Sequence, residues 1–348
     1  MVTEAGCLSE HSGANTHIKA GINYLNHHFK VSLFTSFVTR RSLVSSGIIS
    51  FPYLMIYFTS LIIALPRQFF HLWKRKPKFI YERYHLLNFN ILLICRCLKI
   101  PHFFEINGLW KERDQYGILS WLETNLIKLS NYSFCIGLRG ALIPNVAHIN
   151  IENGVSRTFW NEFKNHQKVR KEYFNICFLG TLMPHHRLEI ISKTLHFIPP
   201  KFHRQMQLHF IGPINHRILK VAESSPIPIV LHGSQSTKSR IRLLRMMDCG
   251  FVSGGSPYSS FMKIFEYGSA KCPVIAPRTP NIEYWFKEDC IFFYRQDDPS
   301  CCAKALMKIY HSPDLSSVKA HHFYQIIGKK FLWEKIYATI SKKIAHHL

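Results

Sequence analysis

The sequence predicts an α/β protein built from two doubly wound, parallel-sheet (Rossmann-like) domains. Three observations lead there. The chain has 348 residues, enough for two domains of ordinary size, each with its own core. Apolar runs of strand length alternate with stretches of helical spacing across short links, the pattern of parallel strands joined by right-handed crossovers. In the second half these runs repeatedly end in glycine, at Leu179-Gly180, Ile211-Gly212 and His232-Gly233.

Composition narrows the partners. The 44 basic and 21 acidic residues leave a formal charge of +23, with 21 histidines beside it. Such an excess acts through partners or solubility and says little about fold. Nucleic acid, an anionic membrane surface and phosphorylated substrates all suit it. The chain shows no zinc finger, aromatic-glycine RNA signature or basic zipper, and its aromatics lie within apolar segments, so no nucleic-acid partner is expected. Ten cysteines give no zinc-knuckle spacing: Cys95 and Cys97 are one residue apart, Cys301 and Cys302 adjacent. With no signal peptide at the N-terminus, a reducing cytoplasm is the expected compartment, and no metal site is expected.

Taken in order, the small-residue turn Ser12-Gly13-Ala14-Asn15 opens a helix marked by Ile18, Ile22 and Leu25, followed by a strand at 31–35. The strand that should precede this turn is poorly represented in residues 1–6. Residues 42–66 carry no charge over 25 positions, but Pro52 and Pro66 divide them. The helix left between the prolines is too short for the roughly 30 Å hydrocarbon core at about 1.5 Å per residue. Trp73 and the basic Lys74, Arg75, Lys76 and Lys78 follow. This is either a helix lying on anionic lipid or a helix packed on the sheet and trailed by a solvated charge run. A strand at 79–83, an apolar helix at 86–98 and a strand at 100–106 come next. Ligands of such sheets bind beyond the C-terminal strand ends, where Glu105 and Asn107 sit, with Arg83 and His85 just past the preceding strand. The alternative for Glu105 is a strand-end carboxylate satisfied by its neighbours. A helix at 118–129, a strand at 134–136 and residues 148–155, with the turn dipeptide Asn153-Gly154, close the first domain.

After a charged linker at 161–173, strands end at Gly180, Gly212 and Gly233. A basic helix lies between Gly233 and Asp248, and strand 248–252 enters the turn Ser253-Gly254-Gly255-Ser256-Pro257. A helix of about three turns is expected there, with Lys263, Glu266 and Ala270 on one side. Backbone N–H groups at such a start form a ready anion site, and a carboxylate farther along accepts hydrogen bonds from sugar hydroxyls. The expected ligand is phosphorylated and carries a ribose. Asp297-Asp298-Pro299 caps a helix at 300–310, Glu283 lies in a turn, and a terminal helix occupies 323–344.

Lys263-Ile264-Phe265-Glu266-Tyr267, followed by Lys271-Cys272-Pro273-Val274-Ile275-Ala276, resembles the donor-site signature of the family 4 glycosyltransferases. The resemblance is strong from about Ile149 to Trp333 and diffuse before it. It implies the GT-B fold, with a first domain at 1–160, linker 161–173, a donor domain at 174–322, and residues 323–348 crossing back to the first domain. It further implies transfer of a sugar, with retention, from a nucleotide sugar of UDP or GDP type to an acceptor hydroxyl on a glycan or lipid-linked molecule. No cofactor is required, and the protein would work on the cytoplasmic face of a membrane. Glu266 would hold the ribose, while Arg187, Lys263 and the N–H groups around Ser259 and Ser260 would face the diphosphate. Gly180 would end the first donor-domain strand, Gly13 would face the reacting sugar, and Glu105 or Asn107 would position the acceptor. The chain departs from the family at three positions. Tyr258 replaces a second glutamate near the sugar, Thr181 stands where an arginine is usual, and His186 stands where a lysine is usual, with Arg187 next to it. These departures also suit a non-catalytic membrane-surface adaptor. A nucleotide-sugar epimerase is the nearest enzyme alternative.

Overall fold

The structure, a computed structural model, describes residues 2–4, 13–32, 34–36, 51–85, 88–113, 117–166, 172–181 and 186–348. Ser12 of the first turn, 42–50 of the uncharged stretch, 86–87, 167–171 of the linker and 182–185 lie outside the described residues, as does Cys7. Two compact units emerge, one from residues 1–152 together with 333–348, the other from 153–332.

In the first unit, β1 (Val2–Glu4), α1 (Gly13–Leu25), β2 (Phe34–Ser36), α2 (Phe51–Arg75), β3 (Ile80–Arg83), α3 (Asn90–Leu98), β4 (His102–Ile106), α4 (Gly117–Ile127), β5 (Tyr132–Ile136) and β6 (His148–Ile151) succeed one another. The sheet is parallel throughout, in the order β2-β1-β3-β4-β5-β6. β4 and β5 are buried along their whole length, because helices can cover both faces of a parallel sheet; Phe103, Phe104, Ile106 and Phe134 are wholly buried. The poorly represented first strand is present after all. β1 is only three residues long, too short to show a pattern, and it lies between β2 and β3.

α2 corrects the sequence reading. It runs for 25 residues straight through Pro66 and takes Lys74 and Arg75 into its last turn. Proline's fixed φ is compatible with a helix, and its cost is one backbone hydrogen bond and crowding of the preceding turn. The described side chains of this helix bury Gln68 and Leu72, yet leave Ile62, Ile63, Phe70 and Trp73 more than half exposed. The face carrying Ile62, Ile63, Phe70 and Trp73 is therefore not a buried core face. Among the described residues no helix is long and apolar enough to cross a membrane.

In the second unit, α5 (Arg157–Asn161) precedes β7 (Phe174–Leu179), α6 (Leu188–His196), β8 (Met206–Ile211), α7 (His216–Ser224), β9 (Ile229–Leu231), α8 (Thr237–Leu244) and β10 (Cys249–Phe251). Then come α9 (Met262–Ser269), β11 (Val274–Pro277), α10 (Pro280–Trp285), β12 (Ile291–Tyr294), α11 (Pro299–His311) and α12 (Pro313–Lys330). The parallel order β12-β11-β10-β7-β8-β9 places the reversal of winding between β7 and β10. Several details differ from expectation. α9 has eight residues and no side-chain cap, so it is shorter than three turns. Glu283 lies in α10, whose cap Thr279 accepts a hydrogen bond from the Ile282 N–H. The terminal helix is two helices, α12 and α13 (Trp333–His347), and α13 packs on α1 within the first unit. Asp298 does cap α11, accepting from the Cys301 N–H at 2.9 Å. None of the described cysteines forms a disulfide.

Candidate donor site

Doubly wound sheets bind ligands where the winding reverses, beyond the C-terminal strand ends. In the second unit that point is the end of β7 beside the end of β10, and most of the sequence-derived residues meet there. β7 runs out at Gly180, whose φ is +106°. The Thr181 carbonyl accepts a hydrogen bond from His186 Nδ1 at 2.8 Å, and Ser253, at the exit of β10, donates its hydroxyl to the His186 carbonyl. Gly254 adopts φ +142°, and a Cβ there would come within 2.9 Å of the Arg187 Cδ. A side chain at 254 would therefore be strained and would displace Arg187. Arg187 itself is half exposed and ion-paired to Asp297.

α9 is fixed against β7 by Tyr267, wholly buried, whose hydroxyl accepts from the Leu179 N–H at 2.8 Å and donates to the Cys177 carbonyl at 3.0 Å. A Cβ at Gly250 would fall 2.4 Å from that ring, so β10 and α9 lie in direct contact at this point. The anchoring places Lys263 Nζ 3.8 Å from the centroid of the Phe178 ring. Lys263 is 8% exposed, and burial brings its ammonium down to about 7. One turn on, Glu266 Oε2 lies 3.4 Å from Arg240 Nε of α8, but neither atom makes a hydrogen bond. Burial pushes the Glu266 carboxyl up, and the Arg240 charge partly offsets this. The result is a nearly buried carboxylate with a charge partner and unused acceptor capacity.

The loop ahead of α9 is internally tied. Ser260 Oγ accepts from Asn153 Nδ2 at 2.8 Å, and the Ser259 carbonyl accepts from Asn281 Nδ2 at 2.9 Å. The Ser259 N–H donates to the Ser256 carbonyl at 3.0 Å, while the Tyr258 N–H lies 3.4 Å from Ser256 Oγ. The sequence marks Asn153 and Asp297 only as turn and cap residues, and it does not mark Arg240 or Asn281 as site residues. The expected basic helix between Gly233 and Asp248 held the one available signal, for Arg240.

Glu105 and Asn107 belong to the first unit. Glu105 is wholly buried at the end of β4. Its Oε2 accepts from Tyr81 at 2.6 Å, His17 Nε2 at 3.1 Å and Tyr337 at 3.4 Å; its Oε1 accepts from Asn107 Nδ2 at 2.8 Å and Arg83 Nη1 at 3.3 Å. Burial alone would raise this carboxyl, but the His17 charge and hydrogen bond, Arg83 and the Tyr81 hydroxyl outweigh it and hold the group well below the usual carboxylate range. Five donors and complete burial satisfy Glu105 among its neighbours, the alternative given for this strand-end carboxylate. Asn107 is partly exposed. Gly13 is the first residue of α1.

No protein-family model matches the chain, and no curated protein matches it in sequence. Solved structures do match in shape. Sucrose-phosphate synthase from Thermosynechococcus elongatus has a TM-score of 0.76 at 13% identity, covering 99% of this chain and 98% of that one. HepE of Anabaena in complex with UDP gives 0.74 at 11% identity, and a glycosyltransferase from Rickettsia africae gives 0.74 at 12%; each match covers 99% of this chain and 98% of the other. Likeness at such low identity speaks to fold: this is the GT-B fold.

Proposed function

We propose that the protein is a glycosyltransferase that takes a sugar from a nucleotide donor held by the second unit. The observation that carries this reading is Glu266, a nearly buried carboxylate lacking hydrogen-bond donors at Oε2 and held beside the β7–β10 reversal. A ribose diol supplies the donors it lacks. Lys263 and Arg187 face the diphosphate, with Asp297 yielding Arg187 to the stronger anion. Fixed cations and N–H groups aimed at a leaving diphosphate lower the barrier without reorganising during reaction, and one well-placed donor contributes about 3–4 kcal/mol. HepE, of the same fold, was solved with UDP and with UDP-glucose, which supports a uridine nucleotide first among the candidates. Asn107, rather than Glu105, touches the acceptor, and Glu105 positions it through their 2.8 Å hydrogen bond.

Thermal unfolding with UDP, GDP, ADP and CMP tests this. A ligand present at 100 times its Kd and binding only the folded state adds about 2.7 kcal/mol. One nucleotide should stabilise the wild type, and Glu266→Ala should lose that shift while remaining folded. Absence of any shift in well-folded protein would favour the adaptor reading. Turnover of a nucleotide sugar without an acceptor would favour the epimerase.

The exposed apolar face of α2 supports an acceptor embedded in, or attached to, an anionic membrane. Ile62, Ile63, Phe70 and Trp73 lie on the helix that ends in Lys74 and Arg75, and apolar burial with basic flanks is how such helices hold a lipid surface. The wild type should cosediment with phosphatidylserine vesicles and release at high salt. Phe70→Glu with Trp73→Glu should abolish cosedimentation without changing nucleotide-induced stabilisation. Equal sedimentation of this variant would refute the membrane role of α2.

A further inference from the structure

The sequence shows no metal-ligand spacing, but the fold brings three metal-binding side chains together on the second unit, away from the residues assigned to the donor. We infer that Asp289, Cys290 and His322 form a binding site for a single zinc-class divalent cation. Asp289 and Cys290 come from the turn that feeds β12, and His322 comes from α12. Their ligand atoms all lie within 4.8 Å of one another. Cys290 Sγ sits 3.2 Å from Asp289 Oδ1, and His322 Nε2 sits 3.7 Å from Asp289 Oδ2. A tetrahedral ion with bonds of about 2.0–2.3 Å separates its ligand atoms by roughly 3.3–3.8 Å. The three side chains therefore need only small rotations to close on one ion.

The donor set fixes the class of ion. Thiolate, imidazole and carboxylate together suit zinc and its borderline neighbours, whereas magnesium and calcium take oxygen shells. Cys290 is buried on its apolar side, and its thiol proton points at Asp289. A cation bound between the sulfur and the carboxylate would take the place of that proton. Lys319 is the opposing charge nearby, but its ammonium is directed to the Glu288 carbonyl and lies 4.4 Å over the Phe292 ring. Three protein ligands leave a fourth position for water. Bound there, the ion would tie the turn before edge strand β12 to α12.

The test is titration of untagged, full-length protein with Co2+ alone, followed by displacement with Zn2+. One equivalent should give thiolate-to-cobalt charge-transfer absorption, and Zn2+ should abolish it and protect Cys290 from alkylation as read by peptide mass. Cys290→Ser should lose the absorption, and His322→Ala should weaken binding by more than the ~10–100-fold that loss of an outer-shell partner costs. His346→Ala with His347→Ala should change neither, which separates the site from the chain-end histidines. Because Cys290 is buried, folding of its variant is checked by circular dichroism, and the His322 variant with the alkylation readout decides the matter if that protein is unfolded. No absorption in wild type, or unchanged affinity in His322→Ala, would overturn the proposal.

Discussion

Glu105→Ala is expected to lower the free energy of unfolding by about 3–5 kcal/mol, the usual cost of removing one partner of a buried ion pair. The loss is large because the carboxylate is shared. With it gone, His17, Arg83 and the Tyr81 and Tyr337 hydroxyls all lose the carboxylate they share. At about 2–4 °C per kcal/mol for a unit of this size, the melting temperature falls by roughly 10 °C. The sign with pH is fixed by the depressed carboxyl. Its stabilisation is complete above the unfolded-state value of about 4.5 and drains away as the pH falls toward the lower folded-state value. Urea unfolding at neutral pH and in acid should therefore show a gap between wild type and variant that narrows on acidification. A gap that is absent at neutral pH, or independent of pH, would mean that the cluster stabilises nothing through charge.

Lys263→Met should act in opposite directions on stability and on binding. In the free protein the ammonium sits over Phe178 with most of its hydration removed, and its proton is held only to about 7. Between about 7 and the unfolded-state value near 10.5, the unfolded chain binds more protons, so folding stability rises with pH across that window. Methionine fills similar space without that desolvation cost and should stabilise the protein by about 1–3 kcal/mol near pH 7. The same change removes a cation from the diphosphate and should weaken nucleotide affinity by about 10–100-fold, the worth of a hydrogen bond to a charged group. Wild-type affinity should be flat below pH 7 and fall above it, because the bound anion requires the protonated lysine. The variant should lack this pH dependence. A destabilised variant with unaltered nucleotide affinity would make Lys263 a packing residue and move the diphosphate elsewhere.

Much of the second unit was legible because its signals are local. Gly180 and Gly212 follow their strands directly and Gly233 comes two residues after its own, and Lys263 and Glu266 share one helix. What escaped was set by tertiary contact. The five partners of Glu105 come from α1, β3, the stretch after β4 and α13, and no window of sequence contains them. Arg240 faces Glu266 only because α8 and α9 are brought together. α2 was divided at Pro66 on a sound local rule, yet the helix continues because proline's backbone angle already fits. β1 offered three residues, fewer than any periodicity needs. The side chains of the candidate donor site were thus readable from stretches close in sequence, whereas the burial of Glu105 was not.

The pairing of α1 with α13 has a consequence for how the chain is made. The Tyr337 hydroxyl donates to the His17 carbonyl at 3.4 Å, and the Trp333 ring lies 4.6 Å from that of His17. Between these partners the ribosome must produce the entire second unit. At about 5–20 residues per second, α1 waits on the order of tens of seconds for the helix that covers it. During that interval His17 and the Glu105 carboxylate lack their C-terminal neighbours, and the nascent first unit presents an incomplete, aggregation-prone face. Completion of the N-terminal unit is in this way made contingent on synthesis of the other one, so a ribosome stalled before residue 333 leaves behind a natural substrate for chaperones and proteases.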